Sequence, residues 1–203
     1  MKSNYEIALH KAFDEVRGRD KDSLLALGAS GAGGGAVELP VLNGRFLVDI
    51  AGRRVSRDDG APVEIGWQIL ALHYLLAAPP SRESGGWTGY SEILEVRGYL
   101  GVYEKRVIER LCATAGRDRE TFVRASLAVG GERAEWGDEG FRYRVFPLLP
   151  VIIAWYAGDD ELPPGASFLY PDNVLSILCA EDMVALAESL VGRLKYESSK
   201  EAG

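Results

Sequence analysis

This sequence holds few of the residues that build metal and redox centres. Cysteine occurs twice in 203 residues, at Cys112 and Cys179, and histidine twice, at His10 and His73. No CxxC pair occurs, so neither a zinc ribbon nor an iron–sulfur cluster can be assembled from this chain. Both cysteines sit in apolar periodic segments and read as buried, reduced thiols. Two separate histidines make a poor metal set. Basic charge is also scarce: 23 Lys and Arg stand against 30 Asp and Glu, a net charge of −7. A nucleic-acid binder normally carries a basic stripe, so that class is disfavoured. Long apolar runs are missing too. The longest, Val145 to Ala157, is too short to span a bilayer and is broken by Pro147 and Pro150. The opening MKSNYEIALH has no apolar stretch of the secretory kind. The expectation is a cytoplasmic chain with no membrane partner, no nucleic acid and no cofactor of its own.

What is present is an ordinary globular composition, 47% hydrophobic, in a length that suits one domain over 1–203 with a disordered tail over 197–203. Tyr5, Ala8, Leu9, Ala12, Phe13 and Val16 recur at helical spacing, with Ser3 or Asn4 as cap and Gly18 as stop. A short helix follows over about 20–27. GASGAGGG, 28–35, reads as a flexible connection; its glycines lack the strand-before, helix-after context of a dinucleotide site. Residues 36–65 read as a β-meander with a hairpin turn at Asn43-Gly44. GWQILALHYLLAA, 66–78, is apolar all round and predicts a helix at the centre of the core. Residues 81–102 have no clear period, beyond a short strand expected near 98–102. Two helices follow as an αα-hairpin, the second capped by Asp118. Then Phe141, Tyr143 and Val145 face inward while Arg142 and Arg144 face out, and VIIAWYA predicts a strand covered on both faces. A further strand over 166–170 and a helix over 181–194 complete the chain. Strands and helices are not in alternating βαβ order. The fold class is therefore α+β, a mixed or mostly antiparallel sheet against a buried central helix.

Several stretches taken in order carry a family resemblance. They are NYEIALHKAFDEV, IGWQILALHYLL, the Gly86-Trp87 step with Glu92 after it, FRYRVFPLLPVIIAWYAGDDELPPGASFLY, and EDMVALAESLVGRL. In that order and spacing the chain resembles domain-of-unknown-function family 3786, found in anaerobic bacteria and archaea. Some members carry an N-terminal four-iron–four-sulfur domain of the corrinoid iron–sulfur type. The resemblance implies an accessory role in redox or corrinoid-linked metabolism, with an iron–sulfur or corrinoid protein as partner. This chain departs from those members in having no cysteine cluster.

Seven residues are candidates for a ligand or partner site; none is assigned a catalytic or metal role. Gln68 and His73 are the polar members of the apolar helix, and at ~100° per residue they point ~140° apart, so they cannot share one site unaided. Each reads more simply as a buried polar group satisfied by neighbours. Asp159, Asp160 and Glu161 follow the central strand beside Pro163-Pro164-Gly165; they read as a solvated turn, or as acid and base if one carboxyl titrates high. Trp87 and Tyr90, in the aperiodic segment, can line a pocket for a flat ligand or pack locally. Ser167 lacks the G-x-S-x-G context of a nucleophile elbow. Two readings result. One is a non-catalytic accessory or binding module. The other is a small-molecule enzyme using the 159–161 carboxylates with 81–102 as lid, which requires a pocket joining that turn to Trp87.

Overall fold

The computed structural model describes residues 4–33, 35–80 and 85–200. It contains two sheets, both antiparallel throughout, and a set of helices between and around them. The chain opens with α1 (Asn4–Val16) and α2 (Lys21–Ala26), the latter capped by the Asp20 carboxylate accepting the Ser23 N–H. Ser3, one of the two expected caps of α1, lies outside the described residues. A four-stranded meander follows: β1 (Ser30–Gly33), β2 (Ala36–Val41), β3 (Gly44–Asp49) and β4 (Arg54–Arg57), in that spatial order. The glycine-rich run is thus partly a strand. Backbone pairing of Ser30 and Gly31 with Glu38 and Val37 forms it, which side-chain periodicity cannot reveal. The hairpin turn also sits one residue earlier than expected. Val41 pairs with Gly44, so the loop is Leu42-Asn43, and Leu42 takes φ 53°. Its N–H donates to the carbonyls of Arg144 and Val145, tying the meander to the second sheet.

The central helix α3 (Ile65–Leu76) buries Trp67, Leu70, Ala71, Leu72, Tyr74 and Leu75. It joins the two sheets: Trp67 meets Phe46 of β3 edge-on, and Tyr74 stacks on Phe146 at 4.6 Å between ring centroids. The Tyr74 hydroxyl donates to the Leu27 carbonyl at 2.6 Å and accepts the Leu148 N–H.

The five-stranded sheet has the order β5 (Trp87–Gly89), β9 (Gly165–Pro171), β8 (Leu149–Tyr156), β7 (Glu139–Phe146), β6 (Glu132–Ala134). The apolar strand β8 is central, as its sequence predicts. One face of the sheet carries Phe141, Tyr143, Val151, Ile153, Trp155, Phe168 and Tyr170 into the main core. On the opposite face Arg142 and Arg144 are exposed; Ile152 and Ala154 are buried there but lie apart from the main core cluster.

Helices close the inner face. Residues 98–102, expected as a strand, are helical: two 3₁₀ turns (Tyr90–Glu92 and Leu94–Tyr99) lead into α4 (Leu100–Tyr103). This runs through a π-helical turn (Glu104–Ile108) into α5 (Glu109–Cys112). Val96, Tyr103, Val107 and Leu111 are its buried residues, a helical spacing that wins over the β-branched and aromatic local composition. Asp118 caps α6 (Arg119–Ala128), and α7 (Ala180–Ser199) packs against α3, α5 and α6. Helix α7 continues past the expected fraying point at 197, where the Glu197 carboxylate is held by Lys200 at 3.0 Å and Arg193 at 3.7 Å. Residues 201–203 lie outside the described residues.

Candidate functional site

Strand β5 pairs with β9, and this delivers Tyr90, the next residue, to the inner face of the sheet. The 3₁₀ turn it starts is locked by the Glu92 carboxylate, which accepts the Gly89 N–H at 2.7 Å. Tyr90 then lies flat on Tyr103, with ring centroids 3.6 Å apart and planes 11° apart. The Tyr103 hydroxyl meets the Tyr170 hydroxyl at 2.9 Å, and the Tyr103 ring stands edge-on to Phe168. Beside this group is an open cavity of about 370 Å3, walled by Tyr90, Tyr103, Leu100, Ile108 and Phe168, with Ser91, Glu104 and Ser167 also along its wall. The π turn supplies two of these residues, Glu104 and Ile108. A π turn swells a helix by one residue per turn and recurs at functional sites. Gly101 also lines the cavity, and a side chain there would meet no protein atom within 4 Å of its Cβ.

The polar accounting of this wall is incomplete. Tyr90 is 4% exposed, and its hydroxyl has no hydrogen-bond partner among the described residues. A buried hydroxyl left without a partner costs about 1–3 kcal/mol, so such groups are uncommon in finished cores. Burial pushes the Tyr90 hydroxyl up to about 12 and raises Tyr103 and Tyr170 further, so all three stay protonated and remain hydrogen-bond donors near neutral pH. No histidine lines the cavity; Ser167 and the carboxylate of Glu104 both belong to its lining. The wall offers aromatic faces and apolar surface, and one of its residues, Tyr90, carries a buried hydroxyl without a partner among the described residues.

The family model described as a domain of unknown function, DUF3786, matches residues 21–193. The chain belongs to the DUF3786 family. No curated protein and no solved structure matches it. The matched stretch includes every wall of the tyrosine cavity and leaves out α1.

The other candidates of this DUF3786 chain are dispersed. Gln68 donates its side-chain amide to the Val63 carbonyl at 2.6 Å. His73 places Nδ1 2.8 Å and 3.0 Å from the two carboxylate oxygens of Asp182, on the first turn of α7. That bond raises the imidazole's pKa against burial, with the charges of Asp182, Glu15 and Glu181 adding to it. Asp182 also accepts from the Cys179 thiol at 3.3 Å. Cys179 is exposed at the N-terminus of α7 and Cys112 half-buried, so neither is the fully buried thiol expected. Burial and the Asp182 carboxylate push the Cys179 thiol up, away from the thiolate a nucleophile needs. Among the described residues no group of three or more His, Cys, Asp or Glu is placed to hold a metal ion. No helix among them is long and apolar enough to cross a membrane.

Asp159 folds back on its own turn, accepting the N–H groups of Glu161 and Leu162, and those bonds lower its pKa. Asp160 and Glu161 are exposed beside it. Trp87 lies at the other end of β9, paired with Pro171, with the Arg142 guanidinium 5.9 Å from its ring centroid. It lines a separate groove with Pro79, Pro80, Pro147, Pro150 and Pro171. The hollow beside the 157–164 turn shares no residue with that groove. Trp87 and the three carboxylates are therefore not brought together, and residues 81–84 of the expected lid lie outside the described residues. Of the seven candidates, Tyr90 alone lines the tyrosine cavity. The sequence reading missed its partners Tyr103 and Tyr170 and the rim residue Glu104. Three tyrosines separated by 13 and 67 positions leave no motif to find.

Proposed function

We propose that the chain is a cytoplasmic, non-catalytic binding module whose tyrosine cavity holds a small planar molecule carrying one hydrogen-bond acceptor. The observation that carries this reading is that Tyr90, a residue of the cavity wall, has a buried hydroxyl without a partner among the described residues. A ligand oxygen or ring nitrogen would supply the missing acceptor, and the aromatic wall would take a flat body by stacking or edge contact. The enzyme alternative, acting through Asp159, Asp160 and Glu161, has less support. It needs those groups in one pocket with Trp87, and Asp159 is already engaged by backbone N–H groups. The iron–sulfur or corrinoid partner implied by the resemblance belongs to the same proposal. With two cysteines in the chain, the partner would have to hold any cluster.

Titration with quinoline, whose ring nitrogen accepts, and with p-cresol, followed by amide NMR, tests the binding half. Saturable shifts are expected at Gly101, Ser167 and Tyr90. Tyr90→Phe should weaken p-cresol by roughly three- to tenfold, the value of one net hydrogen bond. Gly101→Leu, which meets no protein atom near its Cβ and improves helix propensity, should abolish binding. Shifts that never saturate, or that persist in Gly101→Leu, would sink the reading. Affinity capture from an anaerobic host that yields no cluster- or corrinoid-bearing protein would remove the partner half.

A further inference from the structure

A second cavity, of about 280 Å3, lies between the small sheet and α7, away from the tyrosine site. Its apolar lining includes Phe46 and Trp67, which meet edge-on. Three arginines from three elements also line it: Arg45 of β3, Arg57 of β4 and Arg193 of α7. Their states differ. Arg45 pairs with Glu38 at 3.3 Å, and Arg193 reaches Glu197 at 3.7 Å. Arg57 forms no ion pair among the described residues, and its Nε is buried with no hydrogen-bond partner. Asp58 and Asp59 line the same cavity, yet neither pairs with an arginine. Each gives one carboxylate oxygen to a backbone N–H of the 58–61 turn, at 3.0 Å and 2.8 Å.

A guanidinium with a buried, unsatisfied Nε is an unfinished recognition group. Its fork matches two oxygens of a carboxylate or phosphate, and charge-assisted bonds of this kind are about twice as strong as neutral ones. Arg45 and Arg193 are each offset by a glutamate, so Arg57 is the cation of this lining without an acidic partner among the described residues, and the Trp67–Phe46 pair offers an apolar seat beside it. We propose that this cavity is a binding site for a small oxyanion, a carboxylate or phosphate attached to an aromatic or apolar body, with Arg57 as its principal contact. The site shares no residue with the tyrosine cavity and stands or falls independently of it.

Benzoate, phenyl phosphate and neutral benzyl alcohol are suitable probes, read by NMR through the Arg57 Nε–H and the Trp67 indole. At millimolar concentration one or both anions should move both signals saturably, and the stronger of the two identifies the oxyanion preferred. Benzyl alcohol should bind at least about tenfold more weakly, the fold-change that one charge-assisted hydrogen bond carries. Arg57→Gln should weaken the anion by a similar factor, and Arg57→Lys, which keeps charge but loses the fork, should weaken it too. The wild-type Arg57 signal gives an answer even if neither variant folds. Three results would overturn the proposal: no shift of Arg57 with either anion, equal binding of benzyl alcohol, or unchanged anion affinity in a folded Arg57→Gln protein.

Discussion

At the scale of single residues, the acidic side chain that matters most to the fold is Glu139. It is 5% exposed at the start of β7 and accepts from Arg119 Nε and Arg133 Nη1, each at 2.6 Å. Both arginines stay largely in solvent, so the carboxylate alone carries the desolvation and needs both partners. Glu139→Gln keeps the shape and removes the charge. It should lower stability by about 2 kcal/mol in urea unfolding, the range for hydrogen bonds to a charged group. Asp160→Asn, on an exposed turn, should stay within about 0.5 kcal/mol. Equal effects from the two would refute the distinction. The sequence gives no hint of it. Glu139 sits in GDEG and reads as another turn acid, whereas GDDE at 158–161 drew notice for its density of charge. Burial of a carboxylate is decided by what the distant chain lays over it, here Arg119 twenty positions away.

At the scale of elements, hydrophobic period and caps were readable where one segment decides its own fate. Helices α3, α6 and α7 and strands β7 to β9 lie close to where periodicity puts them. Asp118 illustrates the local logic. Its carboxylate accepts the Thr121 N–H at 2.8 Å and the Thr121 hydroxyl at 2.9 Å, and those bonds lower its pKa. Asp118→Ala should cost about 1 kcal/mol, read as a lower urea midpoint. Because the folded carboxyl titrates low, the wild-type advantage is full above the ordinary carboxylate range. It should shrink as pH falls through the folded value, bringing the two proteins together in acid. An undiminished difference in acid would contradict this assignment. Elements that depend on distant partners were not readable. Strand β1 exists because β2 pairs with it, and the Leu42-Asn43 loop is held in place by carbonyls of β7.

At the scale of the whole molecule, tyrosines tie the layers together. Tyr74 links α3 to Leu27 and Leu148, Tyr143 donates to Ser126 of α6 at 2.7 Å, and Tyr103 meets Tyr170 across helix and sheet. Burial raises the pKa of Tyr74, Tyr90, Tyr103, Tyr143 and Tyr170 above the ordinary value of 10.0. Each therefore holds its proton more tightly folded than unfolded. Stability is full below pH 10 and is lost as pH rises toward the folded values. In an alkaline titration the tyrosinate absorbance of these five should rise together with loss of the helical circular dichroism. Their ionisation in a still-folded protein would overturn the prediction.

The margins of the five-stranded sheet have a consequence for how this protein behaves in company. A sheet grows, and proteins clump, when an edge offers a long run of unpaired backbone to another chain. Here the outermost strands, Trp87–Gly89 and Glu132–Ala134, are three residues each, against seven in β9 and eight in β7, the strands they flank. One begins with a charged pair, Glu132 and Arg133, and the other closes on a glycine. A passing strand therefore finds only a short ladder on either side, and the long apolar strand β8 is kept two places in from both edges.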